Sequence, residues 1–277
     1  MTFMEDYVRN GYAIIRQFFS PADIARIGAA IDGVHAEAAT HGQSFRHGNL
    51  FYKIADGDVR MAQWPSWRSD VLDEARTDPR FAALLGPMIG GDIKQIINQI
   101  HWKRPGGKGD FAFHQDSRFR RPPDAYRNLG ASYVQTGLAI DPHNARSGGM
   151  RILPGSHRLG ALDMEIAGAV MDNAAAEDTL VALGLDPSGL IDLDLEPGDL
   201  ALWSPYLVHG SGANRADHHR RFYINGYVRA ADCDRGEWAF RDCAPVPLGA
   251  EPSLVHYEQL RERPEPHYVE AFTTERN

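Results

Sequence analysis

Apolar and polar positions follow two different periods along this chain. Residues 12–17, YAIIRQ, form a short apolar run that reads as a strand. FFSPAD comes next, with Ser20 as N-cap, Pro21 at the first helical position and Asp23 three residues after the cap, a capping-box spacing. Ile24, Ile27, Ile31 and Val34 then recur at helical spacing and give one apolar face. Residues 68–90 predict helix again, with Leu72, Phe81, Leu84 and Leu85 turned to the core.

From about residue 93 the period shortens. IKQIINQIHWK, YVQTGLAID, GMRIL, LIDLDL, LALWSPYLVH and RFYINGYVR are β-rich runs, separated by the turn signals PGGKG, NARSGG, PGS, EPGD and SGAN. Many short strands between such turns predict an antiparallel sandwich or closed barrel, with the earlier helices packed on it. The expected class is mainly β with flanking helices (α+β). Neither an internal repeat nor a low-complexity linker divides the chain. A single domain over residues 1–277 is therefore expected: a helical part at about 1–90, the β core at about 91–230 and a C-terminal extension at 231–277.

Charge narrows the partners. A net charge of −8 argues against nucleic acid or an anionic membrane as the main partner. Oligomeric state is not addressed by the sequence. No apolar run approaches the roughly 18 residues of a membrane span. The start, MTFMEDYVRNGY, lacks the basic stretch and apolar core of a secretory signal, so a soluble cytoplasmic protein is expected. Cys233 and Cys243 are too few for a zinc site and read as incidental thiols. Against the acidic balance, residues 101–127 carry seven basic side chains and three acidic ones. Between Arg158 and Arg215 there is no Lys or Arg at all, which reads as a solvated acidic surface.

The basic stretch surrounds DFAFHQDSRF. Residues two apart on a strand point to one side, so His114 and Asp116 can reach one metal ion while Gln115 points away. If the strand continues, Arg118 and Arg120 share that face and are candidates for gripping an anionic substrate. His-x-Asp alone is a weak pattern. An Fe(II) site of the facial-triad type needs one more histidine. His209 ends the apolar run LALWSPYLV and precedes the turn HGSGAN, at the place of a pocket mouth. Arg220 lies eleven positions beyond it, opening the next strand, where a guanidinium can fork onto a carboxylate. Ser211 can add a hydroxyl. Together these suit a dicarboxylate whose other end chelates the metal.

His114-x-Asp116, the segment SGGMRILPGSH (147–157), and HGSGAN with Arg220 eleven past its histidine together resemble the phytanoyl-CoA dioxygenase family. The resemblance runs from NGYAIIRQFFSPADI to about Val228. It implies a double-stranded β-helix, or jelly roll, and an Fe(II)- and 2-oxoglutarate-dependent oxygenase that acts on a small-molecule substrate, consumes O2 and releases succinate and CO2. It makes His114, Asp116 and His209 the iron ligands, and Arg220 and Ser211 the 2-oxoglutarate contacts. Gln99 and Lys53, the latter in FYKIADGD, match further cosubstrate positions. A carboxylate at Asp116 favours hydroxylation over halogenation, since related halogenases place a small residue there.

The sequence departs from the family pattern at two points. Gly137 in TGLAID stands where many relatives have Trp, so either space opens beside the cosubstrate or another side chain fills it. Ser147-Gly148 replaces Asn-Gly. Two other readings stay open on the sequence: a jelly-roll metal enzyme that does not use 2-oxoglutarate, and a non-catalytic binding module.

Overall fold

The computed structural model describes residues 2–107, 109–164, 170–171, 173–250 and 265–269. Lys108 of the basic stretch, residues 165–169 and 172 of the acidic stretch, and most of the C-terminal extension beyond residue 250 lie outside the described residues.

Three of the helices start on a side-chain cap. Helix α1 (Phe3–Asn10), absent from the sequence expectations, is closed by a Thr2–Glu5 capping box. Strand β1 (Tyr12–Ile15) follows. Helix α2 (Pro21–Thr40) starts on the expected box: Ser20 Oγ accepts the Asp23 N–H at 3.2 Å and Asp23 Oδ2 accepts the Ser20 N–H at 3.1 Å. The helical stretch expected at 68–90 is broken into α3 (Asp70–Arg76) and α4 (Pro79–Ile89). Pro79 has no N–H with which to continue α3, and Asp78 caps the new helix by accepting the Arg80 N–H at 2.9 Å.

The helical part expected at about 1–90 holds more strand than the short run at 12–17. Strands β2 (Phe45–His47), β3 (Leu50–Ala55) and β4 (Asp58–Gln63) form a meander there. Asp56 and Gly57 both take positive φ between β3 and β4, the conformation of a tight hairpin turn.

The remaining strands are β5 (Ile93–Lys103), β6 (Phe111–His114), β7 (Tyr133–Ala139), β8 (Met150–Ile152), β9 (Ile191–Asp192), β10 (Leu200–Trp203), β11 (His209–Ser211), β12 (Arg220–Arg229), β13 (Glu237–Arg241), β14 (Ala244–Pro245) and β15 (His267–Tyr268). They build two antiparallel sheets. The larger runs β1-β10-β7-β12-β5-β4-β3-β2-β15, with β13 also pairing β5 and β14 pairing β13, and the smaller runs β6-β11-β8-β9. From β5 to β12 the chain changes sheet at almost every step, as a jelly roll does. The run LALWSPYLVH is therefore two strands, one in each sheet, separated around Pro205.

Side chains of the larger sheet alternate between two cores. Tyr223 and Tyr227 share one with Ile27, Ile31 and Leu85 of the helices, while Phe222, Ile224 and Val228 share the other with Met150 and Ile152 of the smaller sheet. Each such burial is worth roughly 1.5–3 kcal/mol, so the helical layer fixes which face of β5, β7 and β12 looks at the smaller sheet. Cys233 and Cys243 form no disulfide. No helix among the described residues is long and apolar enough to cross a membrane.

Candidate active site

Strands β6 and β11 are antiparallel neighbours, and His209 lies directly opposite His114. Cross-strand partners hold their Cβ atoms about 5 Å apart, so the two rings meet without any loop having to close. His114 Nδ1 lies 2.7 Å from the Ala112 carbonyl, and His209 Nδ1 lies 2.9 Å from the Leu207 carbonyl. A carbonyl only accepts, so both protons sit on Nδ1 and both Nε2 lone pairs are left for a ligand. Burial, followed by the neighbouring His209, lowers the His114 pKa to about 3 and keeps that imidazole neutral.

Asp116 arrives differently from the sequence expectation. The strand stops at His114, and Asp116–Phe119 is a turn of 3-10 helix, so the shared strand face is not what aligns the pair. Gln115 braces the turn instead: its amide donates to Gly160 O and Tyr206 O, and its Oε1 accepts the Leu162 N–H. The turn brings Asp116 Oδ2 to 3.8 Å from His209 Nε2, where the Trp203 indole N–H also donates to it at 2.8 Å. Burial pushes the Asp116 pKa up, but His209, Arg120, His114 and the Trp203 bond outweigh it, and the net shift is downward. Ligand atoms of His114, Asp116 and His209 all lie within 4.8 Å of one another, and they form the one such group among the described residues. Two imidazoles that turn Nε2 to the same point and a carboxylate suit a divalent first-row metal such as iron.

The cavity in front of these groups is lined by Gln99, His101, Gln135, His143, Trp203, Ser211, Arg220 and Phe222, among others. Arg220 opens β12 directly opposite Lys103, the last residue of β5. Both are buried, and neither pairs with a carboxylate among the described residues. Like charges in cross-strand positions repel, and an anion between them would offset that repulsion. Lys103 Nζ donates to Ser211 Oγ (2.7 Å), Gly148 O (3.0 Å) and Gly212 O (2.6 Å), while Arg220 Nη2 reaches Gly148 O at 3.2 Å and its Nε is buried without a partner. Because Ser211 Oγ accepts from Lys103, its own proton is free to be donated onward. Burial, with Asp141 opposing it, lowers the Arg220 pKa to about 10, and burial followed by Arg220 lowers that of Lys103.

Of the residues expected from sequence, His114, Asp116, His209, Ser211, Arg220 and Gln99 line this one cavity. Gln99 bonds the His101 ring at 3.1 Å. Lys53 does not line it. It sits on β3, paired through Met61 of β4 to His101, and two strand spacings put it roughly 10 Å from that residue. Arg118 and Arg120 do not share a strand face with Asp116, because the strand has ended. Both line a second, larger cavity. Sequence reasoning missed Lys103, His101 and His143. Two-residue alternation from Gln99 along β5 was the available signal for the first two. His143 accepts the Met150 N–H at Nε2 (2.8 Å), so its proton lies on Nδ1, which is buried with no partner.

The two departures have structural answers. A Cβ at Gly137 would lie 2.2 Å from the Phe222 ring, so Phe222 occupies the space that a larger residue on β7 would need. Gly137→Ala should overpack this site and destabilise the fold by roughly 1–3 kcal/mol. Urea unfolding measures the loss, and a second change, Phe222→Leu, should recover part of it. An unchanged midpoint for Gly137→Ala would show that the ring moves aside freely. Gly148 has φ +68° and packs on the Gly212 carbonyl, so its glycine is retained for a backbone reason even though Ser147 precedes it.

Comparison with known proteins agrees with this geometry. The profile of the phytanoyl-CoA dioxygenase (PhyH) family matches residues 7–222. A probable α-ketoglutarate-dependent hypophosphite dioxygenase from Stutzerimonas stutzeri is 25% identical over 239 residues, 81% of this chain and 77% of that protein. A 2-aminoethylphosphonate dioxygenase from an uncultured bacterium is 30% identical over 168 residues, 57% of this chain and 58% of its own. Among solved structures, the epimerase SnoN, crystallised with Fe3+, α-ketoglutarate and nogalamycin RO, has the same fold: TM-score 0.60 and 19% identity, covering 91% of this chain and 94% of that one. With the family profile spanning most of its length and a buried His-Asp-His group at the expected place, the chain belongs to the phytanoyl-CoA dioxygenase family of iron- and 2-oxoglutarate-dependent dioxygenases.

Proposed function

We propose that His114, Asp116 and His209 hold Fe(II), that Arg220 and Ser211 bind the far carboxylate of 2-oxoglutarate, and that the enzyme hydroxylates a C–H bond of a small anionic metabolite. The observation carrying this reading is the pairing of two incomplete arrangements in one cavity. Three metal-donor groups lie within 4.8 Å of one another. The buried Arg220–Lys103 pair beside them forms no ion pair with a carboxylate among the described residues, Asp141 and Asp110 acting on it only from beyond ion-pair range. A dicarboxylate that chelates the metal at one end and meets Arg220 at the other completes both. Iron and 2-oxoglutarate, when bound, supply the oxidising chemistry, with O2 consumed and succinate and CO2 released.

The chain's own residues supply position and polarity. The Ala112 and Leu207 carbonyls fix the histidine tautomers, and Trp203 fixes one Asp116 oxygen. Arg220 and the Ser211 hydroxyl give a buried carboxylate charge-assisted hydrogen bonds, which burial strengthens. Phe222, Ile224 and Met150 keep the surroundings apolar. Two relatives are named for oxidising phosphorus oxyanions, which supports an anionic substrate here. A jelly-roll enzyme that ignores 2-oxoglutarate would leave Arg220 and Lys103 facing each other without purpose. The test is succinate release from 2-oxoglutarate, dependent on Fe(II) and O2. Its absence under all three additions would defeat the proposal.

Lys103 gives a further prediction. Its ammonium orients Ser211 and ties Gly148 to Gly212, so Lys103→Met should weaken 2-oxoglutarate binding by about tenfold, one charge-assisted hydrogen bond's worth. Turnover at saturating 2-oxoglutarate should fall much less. Anaerobic titration separates the two, and an unchanged dissociation constant would remove Lys103 from the cosubstrate site.

A further inference from the structure

We propose that the second cavity, about 790 Å³, is the substrate chamber, and that Arg118, Arg120 and Arg121 on its wall receive a dianionic phosphonate or phosphate group of the substrate. This rests on the dioxygenase reading above and deepens it.

The cavity adjoins the metal-donor group. Gln115 and Ser117, the residues either side of Asp116, both line it. Arg120 forms the partition: its Nη2 donates to Tyr133 Oη (2.6 Å) and to Gln135 Oε1 (3.1 Å), and Gln135 lines the metal cavity on the other side. A molecule seated against Arg120 therefore lies next to the iron site.

The wall gathers three arginines that form no ion pair among the described residues. Arg16, Arg26, Arg68, Arg76, Arg80, Arg127 and Arg221 all pair with carboxylates within 3.0 Å. Arg118, Arg120 and Arg121 do not pair with any among the described residues, although the protein carries a net charge of −8. Arg120 is 2% exposed, and its partners are the neutral Tyr133 and Gln135. They hold the guanidinium in place without neutralising it. The Arg118 guanidinium has no hydrogen bond among the described residues and lies over the Phe119 ring, with Nη1 buried. Arg121 Nη1 meets the Arg120 carbonyl. Asp116 attracts Arg120 electrostatically from beyond ion-pair range, and its charge is shared with the metal once one is bound. Asp163, on the exposed rim, is the acidic residue in the lining.

Three guanidiniums on one wall outnumber the charge of a carboxylate. They suit a tetrahedral oxyanion carrying two charges and several acceptor oxygens, which planar guanidinium forks match well. Leu129, Leu162, Met164, Tyr126 and Tyr206 line the remainder and offer apolar contact to a carbon skeleton.

The test uses inorganic phosphate, methylphosphonate and acetate as probes, titrated calorimetrically into protein loaded with Fe(II) and saturating 2-oxoglutarate under anaerobic conditions. Saturation keeps the probes out of the Arg220–Lys103 site. Phosphate and methylphosphonate should bind at least tenfold more tightly than acetate. Arg120→Gln and Arg118→Gln should each weaken them by about tenfold or more and leave the 2-oxoglutarate dissociation constant unchanged. Arg118 is only partly buried, so its variant keeps the test open if Arg120→Gln fails to fold. Acetate binding as tightly as phosphate, or phosphate binding equally to wild type and both variants, would overturn the assignment, as would no binding of either phosphorus probe. Failure of the underlying dioxygenase reading would look different: no 2-oxoglutarate binding signal would form in the wild type before any probe was added.

Discussion

Replacing His209 with alanine is expected to abolish the weak visible absorption that Fe(II) and 2-oxoglutarate together produce in the wild-type protein under anaerobic conditions. The same variant should lose more than about 100-fold in turnover, beyond the 10–100-fold that changes to groups merely supporting metal ligands cost. The reason is geometric. His209 and His114 are ladder partners, each with its Nδ1 committed to a backbone carbonyl, so removing one leaves two donors where three converged. The adjacent histidines provide the control. His101 stacks on Phe111, His143 lies tilted against the Phe222 ring, and neither belongs to the donor group. His101→Phe should retain the absorption. If His209→Ala keeps it, or if His101→Phe loses it equally while both remain folded by circular dichroism, the ligand assignment is wrong.

The metal group was legible in the sequence for a reason that did not hold. Period-two alternation placed His114 and Asp116 on one strand face, but the strand ends at His114 and a 3-10 turn delivers the carboxylate. The motif spacing named residues that do converge, because the turn is as fixed in length as a strand would be. The same false premise displaced Arg118 and Arg120, which the turn sends to a neighbouring cavity. The pattern could place the strands of the jelly roll but not their order. His209 reaches His114 through pairing of segments 95 residues apart, which local periodicity does not encode. The β2–β4 meander was readable in principle, since Asp56-Gly57 is a hairpin signal, but weak alternation on either side hid it. Lys103 was overlooked because a lysine next to a glycine-rich loop reads as surface. Only its register opposite Arg220 reveals it as buried.

That register also fixes what Arg220→Ala should do. Removing one partner of a buried, hydrogen-bonded charge pair costs roughly 2–5 kcal/mol, so 2-oxoglutarate affinity should fall at least about 30-fold. Iron binding alone should be unaffected, because Arg220 is not one of the donor residues. The visible absorption should therefore still form, at a much higher 2-oxoglutarate concentration. Stability gives a second, independent readout. Without cosubstrate, Arg220 is a buried cation facing a buried lysine, so its removal should not lower the melting temperature and should relieve repulsion with Lys103. With cosubstrate, a wild-type protein at 100 times its dissociation constant gains about 2.7 kcal/mol, and the variant at the same concentration should lose most of that gain. Arg220→Lys should recover binding only in part, because an ammonium cannot fork onto a carboxylate. A variant that binds 2-oxoglutarate within twofold of wild type would remove the anchor, and with it the case that this cavity selects a dicarboxylate.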